Sequence, residues 1–196
     1  MTETERAAGK RIKQWGIEGD IRPLIEGTAE HPIMYRALGT QPQTAHPFNL
    51  YGDIRSQGAA LRGTFELNRD VVPRIARKLV EKGFTGMAGH GLGTSQFVAQ
   101  TASGAFWDFA RWNARDLDSL EYVKYGHPID FSKTVFFSYS GSGSTVDSNR
   151  AAARAKELGA YQVAFTSIAG SPITQKCDET IVCAGGFDTG GSDTFH

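Results

Sequence analysis

The sequence holds only two cysteines, Cys177 and Cys183, with no histidine beside either. That excludes a disulfide framework, and their spacing fits no zinc motif, so both read as small buried or half-buried thiols. No metal and no cofactor are expected. Long apolar runs are missing as well: nothing approaches the roughly 20 residues needed to span a bilayer. The opening stretch, MTETERAAGKRIKQWGIEGD, lacks the apolar centre of a secretory signal. The expectation is a cytoplasmic chain without membrane attachment. An excess of one charge is also absent, since 21 basic residues balance 21 acidic ones, which removes the electrostatic footprint of a nucleic-acid binder. Internal repeats and low-complexity tracts are not found.

What remains is an ordinary globular composition. The 196 residues, 40% of them hydrophobic, suffice for one domain that buries its own core, with residues left over. Residues 1–50 read as an irregular N-terminal arm, with scattered Pro and Gly and no period in GTQPQTAHP. Residues 51–196 read as one domain. From Leu50 the apolar positions recur at three- and four-residue steps, through Ile54, Ala59, Leu61 and Phe65, then Val71, Val72, Ile75, Leu79 and Val80. This predicts two helices, the second opened by Pro73 and stopped by Gly83.

Beyond Gly83 strands and helices alternate. A strand from Phe84 to Ala88 runs into GHGLGTS and a helix of small residues over 96–112. Further strands are expected at 116–122, at 134–138, from Tyr161 and from Glu179. A helix reaches Leu158, and a short one lies near 172–177. Such alternation predicts parallel βαβ units, an α/β domain with its sheet covered on both faces. Right-handed crossovers place every loop that follows a strand at one edge of the sheet, where ligands bind in such folds.

Two of those loops are rich in Gly, Ser and Thr. In the first, Gly93 permits a positive φ or a close backbone approach, and Thr94 and Ser95 stand at a helix N-terminus. The second, Ser140-Gly141-Ser142-Gly143-Ser144-Thr145, repeats the design, with Ser144 or Thr145 able to cap the next helix. A phosphate dianion needs several converging donors and favours the positive ends of helix dipoles. Neither loop contains Lys or Arg, so binding rests on neutral donors. Other phosphate motifs fail: Gly89-His90-Gly91-Leu92-Gly93-Thr94 lacks the last glycine of G-x-G-x-x-G, and no G-K-[ST] occurs. The nucleophile elbow G-x-S-x-G is also missing.

These residues resemble the SIS (sugar isomerase) family of phosphosugar-binding domains. Gly93-Thr94-Ser95 is similar to the family's first loop, and Ser140 to Ser148 to its S-Q-S-G-E-T-x-D-T stretch without gaps. Over about residues 48 to 192 the rest follows the family's pattern, most like the isomerase half of glucosamine-6-phosphate synthase. The resemblance implies a three-layer αβα sandwich with a mainly parallel five-stranded sheet, flavodoxin-like, behind the N-terminal arm and helices. It implies a sugar phosphate ligand held by Gly93, Thr94, Ser95, Ser140, Gly141, Ser142 and Thr145, with hydroxyls from Ser95, Ser140, Ser142 and Thr145 and an N–H from Gly141. The chain departs from the pattern at Gly141, where Gln is common, and at Ser144, where Glu is common. Asp147 is expected to face its own helix's N–H groups.

By the same resemblance the chain belongs to an aldose–ketose isomerase or an amino-sugar phosphate isomerase, aminotransferase or deaminase without a glutaminase half. The alternative is a phosphosugar sensor, and a dinucleotide- or flavin-binding domain is a third reading. Isomerisation needs a base and an acid, and no catalytic residue is assigned. Asp188 is the leading candidate among Asp188, Asp193 and His196, while His90 reads as structural in its turn. Glu121 and Lys124 read as a strand end and surface, and Phe106, Trp107, Phe109 and Ala110 as core or subunit contact. A homodimer or a partner SIS module is expected. Because family members carry a further covering helix, the chain is expected to be a fragment or one half of a split enzyme.

Overall fold

A computed structural model describes residues 49–184. Helices α1 (Asn49–Asn68) and α2 (Val71–Glu81) come first, as the apolar period predicts. Then follow β1 (Gly86–Gly91), α3 (Thr94–Ala105), β2 (Asn113–Asp118), α4 (Ser119–Tyr125), β3 (Thr134–Tyr139), α5 (Val146–Glu157), β4 (Gln162–Thr166) and β5 (Glu179–Val182). The five strands form one parallel sheet in the order β2-β1-β3-β4-β5.

Side chains alternate across the sheet, so each strand feeds two cores. On one face Met87, Val135, Phe137, Tyr139, Val163 and Ile181 pack with Ile75 and Leu79 of α2 and Ala99 of α3. On the other, Ala88 and Phe136 meet Tyr122 of α4 and Ala151 and Ala155 of α5. The methyl-sized residues on α5 let it ride close to the sheet, where Ala152 also packs with Ala164 and Ile173. The result is the expected α/β sandwich with helices on both faces.

The edge at β5 is held by polar contacts to α1 and α2. Asn68 Nδ2 donates to the carbonyls of Thr64 and Val182, each at 2.7 Å. Ala184 N–H donates to Thr64 Oγ1 at 2.8 Å. Glu179, its side chain only 8% exposed, takes Lys78 at 2.7 Å and Arg74 at 2.9 Å, and Tyr161 donates to it at 3.2 Å. Burial raises its pKa, but the hydrogen bonds from Lys78, Arg74 and Tyr161 outweigh that and hold it below the usual carboxylate value.

Four elements differ from the sequence reading. The first strand spans Gly86–Gly91, not 84–88, so His90 lies on β1 rather than in a turn. The second strand lies at Asn113–Asp118, not 116–122, and α4 begins at once. Asp118 is the reason: its carboxylate accepts the N–H groups of Leu120 and Glu121 at 2.8 and 3.0 Å, an N-cap that turns the chain into a helix. Glu121 and Lys124 therefore stand on α4 rather than at a strand end. The helix after β1 starts two residues early and ends at Ala105, passing into a π-helical turn, Phe106–Ala110, closed by Arg111 at φ 57°. Residues 172–177 form no helix, only i→i+3 turns such as Thr174 N–H to Ser171 O at 2.9 Å.

Candidate functional site

The strand order places β1 beside β3, yet the chain leaves them in opposite directions, through α3 on one face and α5 on the other. Such a divergence opens a crevice at the C-terminal strand ends, the usual ligand position in open α/β sheets. Both Gly/Ser/Thr loops start there: loop 1, Gly91 to Ser95, follows β1, and loop 2, Ser140 to Thr145, follows β3. Pairing of His90 with Ser138 sets their starts side by side.

In loop 1, Gly93 is the N-cap of α3 with φ 60° and ψ −128°, a conformation open to glycine alone. Gly91 is equally constrained for a different reason. A Cβ there would lie 2.6 Å from the N of Gln96, against the backbone of the first helical turn. The Gln96 N–H returns to Gly93 O at 3.0 Å. Thr94 is exposed and Ser95 half-buried, and their N–H groups belong to the unpaired first turn of α3.

Loop 2 is braced from the β4 side. The Gly141 carbonyl accepts Thr166 Oγ1 at 3.0 Å and Ser167 N–H at 2.9 Å. Because the peptide unit is planar and trans, the N–H of Ser142 then points the other way, away from Thr166 and Ser167. The Gly143 carbonyl accepts Ile173 N–H at 3.0 Å and Asn149 Nδ2 at 3.0 Å. Asn149 also donates to Thr145 O at 3.0 Å. Ser144 turns inward, its N–H and hydroxyl both on Ser142 Oγ at 3.2 and 3.1 Å. Ser140 is 3% exposed, and its hydroxyl donates to Thr145 Oγ1 at 3.4 Å. The N–H groups of Gly141, Ser142 and Thr145 have no acceptor among the described residues.

Thus both loops present backbone N–H groups and hydroxyls around two helix N-termini, each equivalent to roughly half a positive charge. Thr145 is the N-cap of α5, but no side-chain capping bond forms, which leaves the first-turn donors of α5 open. Asp147 does not face those N–H groups as expected; its carboxylate meets Arg150 at 3.4 Å. Other clefts, of about 560 and 330 Å³, lie at the opposite sheet edge around Phe131, Ser132 and Gly159 and gather no helix N-terminus.

His90 stands just below loop 1 and is fully buried. Burial lowers its pKa to about 3, so the ring is neutral. Cys177 and Cys183 are half-buried, and burial pushes the Cys177 thiol up to about 12. Phe106 packs against the core, whereas Trp107 and Phe109 are 58% and 88% exposed. Asp188, Asp193 and His196 lie outside the described residues. No group of three His, Cys, Asp or Glu side chains able to hold a metal occurs among the described residues. No helix there is long and apolar enough to cross a membrane.

Sequence reasoning missed the side chains that brace loop 2, Asn149 and Thr166. Only Asn149 left a trace in the sequence, as an amide four residues after a helix-opening Thr145.

Neither family models nor curated proteins match this chain. Solved structures do match in fold. The C-terminal domain of glucosamine-fructose-6-phosphate aminotransferase from Francisella tularensis superposes with a TM-score of 0.65 at 18% identity, covering 75% of this chain and 43% of that one. Tagatose-6-phosphate ketose/aldose isomerase from Escherichia coli gives 0.59 at 18% identity, over 73% and 42%. The Vibrio vulnificus NanR protein, complexed with ManNAc-6P, gives 0.55 at 16% identity, over 99% and 80%. The chain therefore spans less than half the length of the two enzyme structures and carries the fold of phosphosugar isomerase (SIS) domains.

Proposed function

We propose that this chain binds a hexose or amino-hexose phosphate in the crevice between loops 1 and 2, as part of an aldose–ketose isomerase or an amino-sugar phosphate isomerase, aminotransferase or deaminase. One observation carries this reading: two helix N-termini with unpaired N–H groups and hydroxyls flank the point where β1 and β3 diverge. In it the phosphate takes N–H groups from Gly93, Thr94, Ser95, Gly141 and Ser142 and hydroxyls from Ser95, Ser142 and Thr145. Ser140 aims the Thr145 hydroxyl. The base and acid come from Asp188 or from a partner module or second copy of the chain.

A phosphosugar sensor is the second reading. It is favoured by the resemblance to NanR, which extends over 99% of this chain, and by Asp147, the carboxylate nearest loop 2 in sequence, being paired with Arg150.

Incubation with fructose 6-phosphate and with glucosamine 6-phosphate in deuterated water separates the readings. Deuterium entering at the second carbon, followed by NMR, supports the enzyme; ligand binding without exchange supports the sensor. Binding itself is read by calorimetry, where Thr145→Val weakens affinity about tenfold, the loss of one hydrogen bond to a charged group. Absence of binding by the wild type to either sugar phosphate refutes both readings.

A further inference from the structure

Four buried polar side chains run in line beneath loop 2. Ser138 of β3 meets His90 Nε2 at 2.7 Å, His90 Nδ1 meets Ser119 of α4 at 3.0 Å, and Ser119 Oγ meets Ser148 of α5 at 3.2 Å. All four are at most 1% exposed. The imidazole also stacks on Phe136, with centroids 4.6 Å apart, so it cannot swing to another partner. The row therefore ties the end of β1 to β3, to the start of α4 and to the first turn of α5.

Packing alone does not call for this arrangement, because Ala88 and Phe136 fill the same layer with apolar groups. A neutral imidazole offers one donor and one acceptor at fixed positions, so it donates to the hydroxyl at one end and accepts from the hydroxyl at the other. Among buried groups such a row has a single satisfied geometry, and removal of one member leaves its neighbours unpaired. Its outer end is Ser148, one turn into α5 and next to Asn149, whose amide holds the carbonyls of Gly143 and Thr145.

We infer that His90 is a positioning residue: through Ser119 and Ser148 it holds the first turn of α5, and with it loop 2, in fixed register against β1. The effect on a ligand rests on the reading of the loops as a sugar phosphate site; the effect on loop 2 does not.

The test uses His90→Leu, which fills much of the ring's volume but can bond neither Ser138 nor Ser119, and Ser148→Ala, which removes only the last hydroxyl of the row and is the milder change. In the free protein, amide hydrogen exchange is followed by NMR at Gly143 and Asn149, both hydrogen-bonded within the loop and first turn. Ser148→Ala is expected to speed exchange at these two amides about tenfold while amides of β3 and β4 stay as in the wild type. Calorimetry with glucosamine 6-phosphate then reads a loss of affinity of about tenfold. The double variant is expected to be no worse than His90→Leu alone, since the row is already cut. A purely structural role would lower global stability and speed exchange of all core amides alike. Unchanged exchange at Gly143 and Asn149 in Ser148→Ala, or additive losses in the double variant, overturns the inference. If the wild type binds no sugar phosphate, the site reading fails, and the exchange data still decide the role of His90.

Discussion

At Gly143 the backbone has φ +64°, and a Cβ would collide with the Ser171 side chain and come within 2.9 Å of Thr166 Oγ1. Gly159, at φ +82°, has nothing within 4 Å of the same position. The two glycines therefore separate strain from collision. Gly159→Ala is expected to cost about 1 kcal/mol, the price of a left-handed residue. Gly143→Ala adds a clash with a buried neighbour and should cost about 3 kcal/mol, as overpacked sites do. Urea unfolding of both variants measures the difference, and equal losses would contradict the packing described for loop 2. Little of this was legible in Ser140 to Thr145. Gly141 and Gly143 are equivalent in a run of Gly and Ser, and the neighbour that distinguishes them, Ser171, arrives from the far side of β4.

Among the elements, β3 and β4 were the most legible, because TVFFS and YQVAFTS carry the continuous apolar side chains of strands covered on both faces. Strand β2 was not. It is an edge strand whose six residues, NARDLD, include one large apolar side chain, Leu117, so it has almost no pattern to read. Helix α2 was legible through its period, but its anchor to β5 was not, since Glu179 lies 101 residues from Lys78. That anchor has a pH signature. The folded-state pKa of Glu179 is depressed, so its ion pairs stabilise the fold above the ordinary carboxylate value and are lost as pH falls through the lower folded value. Glu179→Gln is expected to be less stable than the wild type at pH 7, with the gap closing as pH drops below about 4. Thermal unfolding of both proteins across that range checks it; a gap independent of pH would show that the carboxylate charge contributes nothing.

For the whole molecule, Phe97, Trp107 and Phe109 are 66%, 58% and 88% exposed on α3 and its π-helical turn. Three large apolar residues on one such segment suit an interface better than water. We expect the chain to run as a dimer in light scattering, in keeping with a site completed by a second module, and Phe109→Asp to shift it toward monomer. A monomer at all concentrations would leave the proposed base and acid to come from this chain. The sequence by itself determined the strand–helix alternation, the parallel sheet and the two loops, because periodicity and turn residues are local properties of the chain. Only the tertiary structure decided which way the peptide units of loop 2 face and which residues brace them. Those directions depend on carbonyl partners contributed by β4 and the segment after it, contacts between residues some 25 to 30 positions apart that no local pattern records.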